Sequence, residues 1–298
     1  MKKLIVSTVG TSLLTRTPDI TKEEQCLLIT YANCREQESS DEILALVSRL
    51  QLKALEQLES RSLAEIRKAS AELNGLIGLN DGKIPSNQQD MHILVSTDTV
   101  QGMATANTIK EYLCKCGCSA MVIIPKNLST QDECHFSEGI KELLIWCDEV
   151  IPKYKEDGYE IVFNLTGGFK SLQGYMNTIG MFYADRMVYI FESPESKLIE
   201  IPRLPVKLDN EVFRKNITDL LLLSVGLEYK AELFPDIAES LLDQIGGYVI
   251  LSLWGMLVWN KIKHELLAEN LIYLPGLIYE HSFLSDFKKI GSLNNLVE

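Results

Sequence analysis

Short apolar runs alternate with amphipathic segments over the first two thirds of the chain. Five of these runs lack polar alternation, which is typical of strands covered on both faces, and a short sixth run follows them. Segments with apolar residues at helical spacing separate most of the runs. Such β-α-β repetition predicts an α/β fold with a doubly wound, mostly parallel, Rossmann-like sheet. The predicted strands lie at residues 4–6, 93–95, 121–124, 161–163, 187–191 and 198–201.

Helices are predicted between these strands. Thr21 and Glu24 have the spacing of a capping box, which marks the start of a helix. Pro202 and Pro205 mark a break after the last strand, because proline interrupts regular structure. We therefore predict one domain over residues 1–204 and a smaller, mainly helical domain over 205–298. The helices predicted in the first domain lie at residues 21–34, from residue 40 onward, and at 63–76, 99–116, 137–150 and 170–184.

The smaller domain has longer helical segments and a distinct tail. Its most apolar stretch, residues 245–259, is shorter than the ~20 residues that a membrane-spanning helix needs. We therefore expect a packed helix there and no membrane partner. The predicted elements are helices at 209–225, 236–244 and 245–269, a strand at 277–283 and a short helix at 284–290.

Charge and cysteine usage narrow the classes of function. The chain carries 29 Lys and Arg against 41 Asp and Glu, a net charge of −12. Such an acidic surface repels a phosphate backbone, which argues against a long nucleic acid but permits a small anion in a local pocket. No signal peptide is recognisable ahead of the seven cysteines, so we expect a reducing cytoplasm. Cys114, Cys116 and Cys118 lack a second cluster at zinc spacing, and we interpret them as reduced thiols rather than metal ligands.

Polar, hydroxyl-rich loops follow three of the predicted strands, each at the start of a helix: the first loop is residues 10–12, the second 96–99 and the third 164–171. In a doubly wound sheet, ligands bind outside the carboxyl ends of the strands. We therefore predict that the three loops form one binding site. The candidate binding residues are Gly10, Thr11, Ser12, Asp98, Thr99, Gly102, Asn164, Thr166, Gly167, Gly168, Phe169 and Lys170.

The third loop has the composition of a phosphate site. Its consecutive glycines, Gly167 and Gly168, permit positive φ and allow backbone N–H groups to approach a ligand. The following helix offers free amides and the positive end of its dipole, and Lys170 adds a mobile charge. The alternative is that the glycine pair only permits a tight turn and close helix packing. For Asp98, a contact with an adenine or ribose hydroxyl and a helix-capping role both remain open.

Three common motifs are missing from the sequence. No G-x-G-x-x-G follows the first strand, which argues against dinucleotide binding, and no G-x-x-x-x-G-K-[ST] loop is present. A G-x-S-x-G nucleophile elbow is missing too. The predicted phosphate site is therefore of a different kind.

The sequence resembles the CARF (CRISPR-associated Rossmann fold) family of type III CRISPR systems at two segments, Val9-Gly10-Thr11-Ser12 and Asn164-Leu165-Thr166-Gly167-Gly168-Phe169-Lys170. It is most similar to the branch that includes the ring nucleases, and the resemblance covers roughly residues 1–204. The resemblance implies a homodimer whose paired clefts bind a cyclic oligoadenylate, most often cyclic tetra-adenylate, without a cofactor or a metal ion. A two-fold-symmetric ligand suits a two-fold-symmetric dimer.

The ring-nuclease branch also implies a reaction. A ribose 2′-OH attacks the adjacent phosphorus and leaves a 2′,3′-cyclic phosphate, so the protein must align the ribose and stabilise charge on the phosphorane. Lys170 is the candidate for charge stabilisation, and Ser12 or Thr11 for orienting the 2′-OH or donating to a phosphate oxygen. Two classes of function stay open: an enzyme that linearises the ring, and a non-cleaving sensor that controls a C-terminal effector.

The C-terminal tail carries a second resemblance. In the CARF family this part is usually an effector or a winged-helix module. The tail between Leu277 and Ile290 resembles the opening strand and helix of RelE-type mRNA interferases. This resemblance implies that the chain is the CARF part of a CARF–RelE protein, with an incomplete effector.

Overall fold

The computed structural model describes residues 1–17, 20–191, 197–204, 210–227, 229–230, 237–269, 271–274 and 276–294. The chain forms two compact units, Met1–Pro205 and Val206–Glu298. Each unit has its own sheet and its own helices.

A six-stranded sheet forms the centre of the first unit. Its strand order is β3-β2-β1-β4-β5-β6, in which the first five strands are parallel and β6 is antiparallel to β5. The predicted doubly wound, mostly parallel sheet is therefore confirmed. Its strands are β1 (Lys3–Thr8), β2 (Met91–Val95), β3 (Ser119–Ile123), β4 (Glu160–Asn164), β5 (Arg186–Ile190) and β6 (Leu198–Ile201).

Helices cover both faces of this sheet. Alternate residues of each strand point to opposite faces, so the apolar side chains on each face pack against a separate set of helices. Ile5 and Val162 join the core beneath α3, α5 and α6. Phe163, the next residue of β4, lies against Gly180 of α8 on the other side. The helices of this unit are α1 (Ser12–Thr15), α2 (Lys22–Thr30), α3 (Asp41–Ser60), α4 (Leu63–Ala69), α5 (Ala71–Leu79), α6 (Val100–Lys115), α7 (Glu133–Glu156) and α8 (Lys170–Tyr183).

The predicted helix at 63–76 is wrong in one respect, because the chain breaks it into α4 and α5. Ser70 adopts an extended conformation, with φ −135° and ψ 122°, and its hydroxyl accepts a hydrogen bond from the Leu73 amide. A serine that caps the following turn in this way starts a new helix. By contrast, the capping box of Thr21 and Glu24 forms as predicted.

The second unit combines helices with a small antiparallel sheet, in strand order β7-β9-β8. Its strands are β7 (Tyr229–Lys230), β8 (Leu242–Ile245) and β9 (Tyr248–Leu251), and its helices are α9 (Asn210–Lys215), α10 (Ile217–Ser224), α11 (Leu253–Glu269) and α12 (His281–Asn294). The predicted helix at 209–225 is divided at Asn216, and residue 209 lies outside the described residues. Within the part of the chain that the structure describes, no helix has the length and apolarity needed to cross a membrane.

A β-hairpin replaces parts of two predicted helices, 236–244 and 245–269. Gly246 and Gly247 have φ of 60° and 87°, and two consecutive residues with positive φ form a tight hairpin turn. Strands β8 and β9 flank this turn, so helix α11 begins only at Leu253. Residue 236, the first of the predicted helix, lies outside the described residues.

The predicted strand at 277–283 is also wrong, because residues 277–280 have no regular structure and α12 begins at His281. The rings of Tyr279, Phe283 and Phe287 are in contact along the chain at a spacing of four residues. Aromatic pairs at this spacing stabilise a helix. The similarity to the opening strand of a RelE-type interferase therefore has no counterpart in the structure.

Candidate functional site

A cleft of about 490 Å³ lies at the carboxyl ends of β1 and β4. These two strands are neighbours, and the chain order of the strands reverses between them, which is where doubly wound sheets bind ligands. The cleft is lined by Val9, Gly10, Thr11, Ser12, Thr15, Arg16, Ala32, Asn33, Ala71, Glu72, Thr97, Thr99, Thr130, Thr166, Gly167, Gly168, Phe169, Lys170, Gln173 and Tyr189.

The structure brings most of the predicted binding residues together in this cleft. Those that line it are Gly10, Thr11, Ser12, Thr99, Thr166, Gly167, Gly168, Phe169 and Lys170. Asp98, Gly102 and Asn164 are not among the lining residues. Each of these three instead supports a loop that does line the cleft.

Asn164 is fully buried behind the third loop. Its side-chain amide donates hydrogen bonds to Ser7 Oγ at 3.2 Å and to the Glu72 carbonyl at 3.1 Å. Its Oδ1 accepts a hydrogen bond from Thr166 Oγ1 at 2.8 Å. Asn164 therefore fixes the start of the loop rather than facing a ligand.

Asp98 belongs to an ion pair behind the second loop. Its Oδ2 lies 3.1 Å from Arg35 Nε and accepts a hydrogen bond from the backbone N–H of Asn127 at 3.1 Å. Thr99, rather than Asp98, caps α6 by accepting a hydrogen bond from the Gly102 amide at 3.2 Å. Gly102 permits close packing, since a Cβ there would lie 1.9 Å from Thr97 Oγ1.

Glu72 is the main site residue that sequence reasoning missed. Its carboxylate is fully buried between the first and third loops. It accepts hydrogen bonds from the Gly10 amide and from Ser70 Oγ, each at 2.7 Å, and the Gly168 amide also interacts with it. Burial raises the pKa of Glu72, while these hydrogen bonds act in the opposite direction. The only signal in the sequence was an acidic residue inside a mostly apolar segment, residues 71–79.

The amides of Gly10 and Gly168 are therefore engaged inside the protein by Glu72, contrary to the expectation that they face a ligand. Gly168 does adopt the predicted positive φ, of 88°. The Gly167 carbonyl accepts hydrogen bonds from Thr8 Oγ1 at 2.5 Å and from Gln173 Nε2 at 2.9 Å. These bonds and Glu72 hold the loop tightly against β1 and α8.

Groups that can bind an anion lie at the ends of the loops. The first-turn N–H groups of α8 have no partner within the helix, as at the start of any helix, and the N-cap residue Phe169 provides no side-chain cap. Lys170, the first residue of α8, is exposed in the cleft, as is Arg16 at the end of α1. Sequence reasoning missed Arg16, because it lies four residues beyond the predicted loop. Ser12 and Thr11 add hydroxyl donors.

Metal ligands are not clustered in this region. Among the residues that the structure describes, no group of three or more His, Cys, Asp and Glu side chains could hold a metal ion. Cys114, Cys116 and Cys118 are free thiols around the end of α6.

Part of the sequence of this unit matches a known family model. Residues 67–204 match the model described as CRISPR-associated protein (Cas_APE2256). The matched segment runs from α4 through β6 and contains Glu72, the second loop and the third loop. The match supports a CRISPR-associated protein.

Proposed function

We propose that this cleft binds a cyclic oligoadenylate, most simply cyclic tetra-adenylate, in type III CRISPR antiviral signalling, and that the bound ring is cleaved there. The observation that carries the proposal is the meeting of Lys170, Ser12 and the uncapped start of α8 in one cleft. On a chain with a net charge of −12, this cluster makes a local site for a phosphate group. The CRISPR-associated family match is consistent with such a ligand.

The proposal includes a homodimer that shares one ring between two clefts. A single cleft of about 490 Å³ lies in the range of small-molecule pockets, roughly 300–1,000 Å³. A ring of four nucleotides exceeds what one such cleft encloses. Two copies related by a two-fold axis would each bind half of a symmetric ring.

Cleavage would proceed by attack within the ligand. The ribose 2′-oxygen forms a bond to the adjacent phosphorus and loses its proton to solvent. The bond from phosphorus to the 5′-oxygen breaks, and that oxygen takes up a proton, which leaves a 2′,3′-cyclic phosphate and a 5′-hydroxyl. Lys170 and the α8 amides stabilise charge on the phosphorane oxygens, and the Ser12 hydroxyl orients the 2′-OH.

The test is incubation of the purified chain with labelled cyclic tetra-adenylate in the presence of EDTA. Conversion to linear products with a 2′,3′-cyclic phosphate end would support both binding and cleavage. Mass measurement of the chain with and without ligand tests the dimer. Absence of binding to any cyclic oligoadenylate would refute the proposal.

Sensing without cleavage is the second candidate function. It is favoured by the second compact unit, Val206–Glu298, which could respond to a ligand bound by the first unit. In this case the ring binds tightly and is recovered intact after prolonged incubation. The EDTA experiment therefore separates the two functions.

A further inference from the structure

Part of the cleft is lined by neutral polar side chains rather than by cations. Asn33 lies between α2 and α3, and Thr130 lies in the loop between β3 and α7. Thr130 Oγ1 donates a hydrogen bond to Asn33 Oδ1 at 2.6 Å. This pair joins two segments that are 97 residues apart in sequence, so its position in the cleft depends on tertiary structure.

An ion-pair network holds both segments in place. Arg35, two residues after Asn33, pairs with Asp98, and its guanidinium also donates a hydrogen bond to Asn127 Oδ1. The Asn127 amide donates to Asp98 in turn. Asn127 has a φ of 68°, a left-handed conformation that costs energy for a residue other than glycine. Such strain persists where surrounding contacts fix the backbone, and it is common at functional sites.

The chemistry of the pair differs from that of the phosphate-binding groups. An asparagine side chain offers an acceptor and a donor side by side, which matches the paired donor and acceptor on one edge of adenine. In the structure the Thr130 hydroxyl donates to Oδ1, which leaves Nδ2 outside this bond. The remaining lone pair of Oδ1 can accept from the adenine amino group, and Nδ2 can donate to the adjacent ring nitrogen.

We infer that Asn33 and Thr130 form the subsite for an adenine base, and that Arg35 and Asp98 are positioning residues that hold this subsite. The inference rests on the proposed function, because it assigns the base recognition of the same ligand. A hypoxanthine base, which carries a carbonyl in place of the amino group, would face Asn33 Oδ1 with a second acceptor. The subsite would therefore discriminate against inosine by about tenfold or more.

The test compares affinities for cyclic tetra-adenylate and its inosine analogue, and for AMP and IMP, by calorimetry. We expect the chain to prefer adenine, and Asn33→Ala and Thr130→Val to reduce the preference to less than about threefold. The affinity for the inosine ligands should stay the same, since the phosphate-binding groups are intact. Asp98→Asn should partly weaken the preference for adenine. If the melting temperature is unchanged, this loss cannot be explained by a general loss of stability. Thr30→Val, on an exposed site of α2, is the matched control.

The outcomes separate this inference from the proposed function. If the ring binds but the two variants keep the full preference for adenine, the subsite is wrong and the proposed function stands. If the ring does not bind, yet AMP is preferred over IMP in a manner that depends on Asn33, the subsite stands and the proposed function fails. If neither ring nor mononucleotide binds, both are overturned.

Discussion

The carboxylate of Glu72 accepts a hydrogen bond from the amide of Gly10 at 2.7 Å, across 62 residues of sequence. The same carboxylate interacts with Gly168, so one buried side chain connects the loops that follow β1 and β4. A buried carboxylate is unfavourable unless hydrogen bonds compensate for lost hydration. Here those bonds come from the loops that line the cleft. We therefore regard Glu72 as the residue that fixes the spacing between the two loops.

Replacement of Glu72 should reveal this role. In Glu72→Ala the Gly10 amide and Ser70 hydroxyl lose their partner and a cavity forms, so we expect a loss of about 2–4 kcal/mol in the free energy of unfolding. Glu72→Gln keeps an acceptor for the Gly10 amide and should stay within about 1 kcal/mol of the original chain. Chemical denaturation measures both, and amide hydrogen exchange at Gly10 and Gly168 reports the loops directly. Equal stability of the alanine variant and the original chain would contradict this assignment.

Gly167 should tolerate no side chain while Glu72 is present. A Cβ at Gly167 would lie 2.1 Å from Glu72 Oε1, closer than any real contact. We expect Gly167→Ala to destabilise the chain by about 2 kcal/mol or more, because the loop or the carboxylate must move. The matched control is Gly174→Ala, within α8, where a Cβ meets no atom within 4 Å. That change should stabilise the chain by about 0.5–1 kcal/mol, since alanine favours the helix. Similar effects of both changes on the melting temperature would rule out the predicted clash.

The sheet could be predicted from sequence because burial on both faces leaves a plain signal of apolar runs separated by helical segments. The three loops could be predicted for the same reason, as they follow directly from strand ends. In the second unit, the hairpin at Gly246 and Gly247 was missed because its strands are short and one is polar. Local pattern does not distinguish such strands from a helix turn.

The support of the candidate site could not be predicted, because it depends on contacts distant in sequence. Asn164 and Asp98 have residue types that suit ligand binding. Inside the fold, however, the Asn164 side chain is hydrogen-bonded to Ser7, and the Asp98 carboxylate is ion-paired with Arg35. Glu72 lies in the first turn of α5, whose start falls inside the predicted helix at 63–76, and Arg16 follows α1, a helix that was not predicted. Residue type at a strand end therefore predicted where the cleft lies better than which side chains face it.

His92 should make the fold sensitive to acid. It is 1% exposed, and neither ring nitrogen has a hydrogen-bond partner among the described residues. Burial lowers the pKa of His92 to about 4, with the charge of Asp90 acting in the opposite direction. Between about pH 6.5 and pH 4, the His92 imidazole therefore binds a proton in the unfolded chain but stays neutral in the folded chain. The free energy of unfolding should fall by about 3 kcal/mol between pH 6.5 and pH 4 for this reason.

His92→Leu should flatten that part of the stability curve, as measured by urea denaturation across pH. Glu72 should affect the pH dependence of the free energy of unfolding in the opposite direction. Its raised pKa favours the folded state at low pH, and this contribution is lost as the pH rises above the usual value of 4.5. Glu72→Gln should therefore make the free energy of unfolding rise more steeply with pH above 4.5. An unchanged slope between pH 6.5 and pH 4 in His92→Leu would show that another group controls acid unfolding.

Replacement of Lys170 should distinguish cleavage of the ring from binding alone. If the cleft cleaves the ring, Lys170→Ala should lower the rate constant about a hundredfold, since the charge acts on the phosphorane more than on the bound phosphate. If the cleft only senses the ring, the same change should weaken binding and leave no rate to measure. Lys83→Ala removes an equal charge from the exposed loop between α5 and β2, at the opposite end of the strands, and controls for net charge. Single-turnover kinetics and calorimetry on both variants give the two quantities. Equal rates and affinities for Lys170→Ala and Lys83→Ala would remove Lys170 from the site.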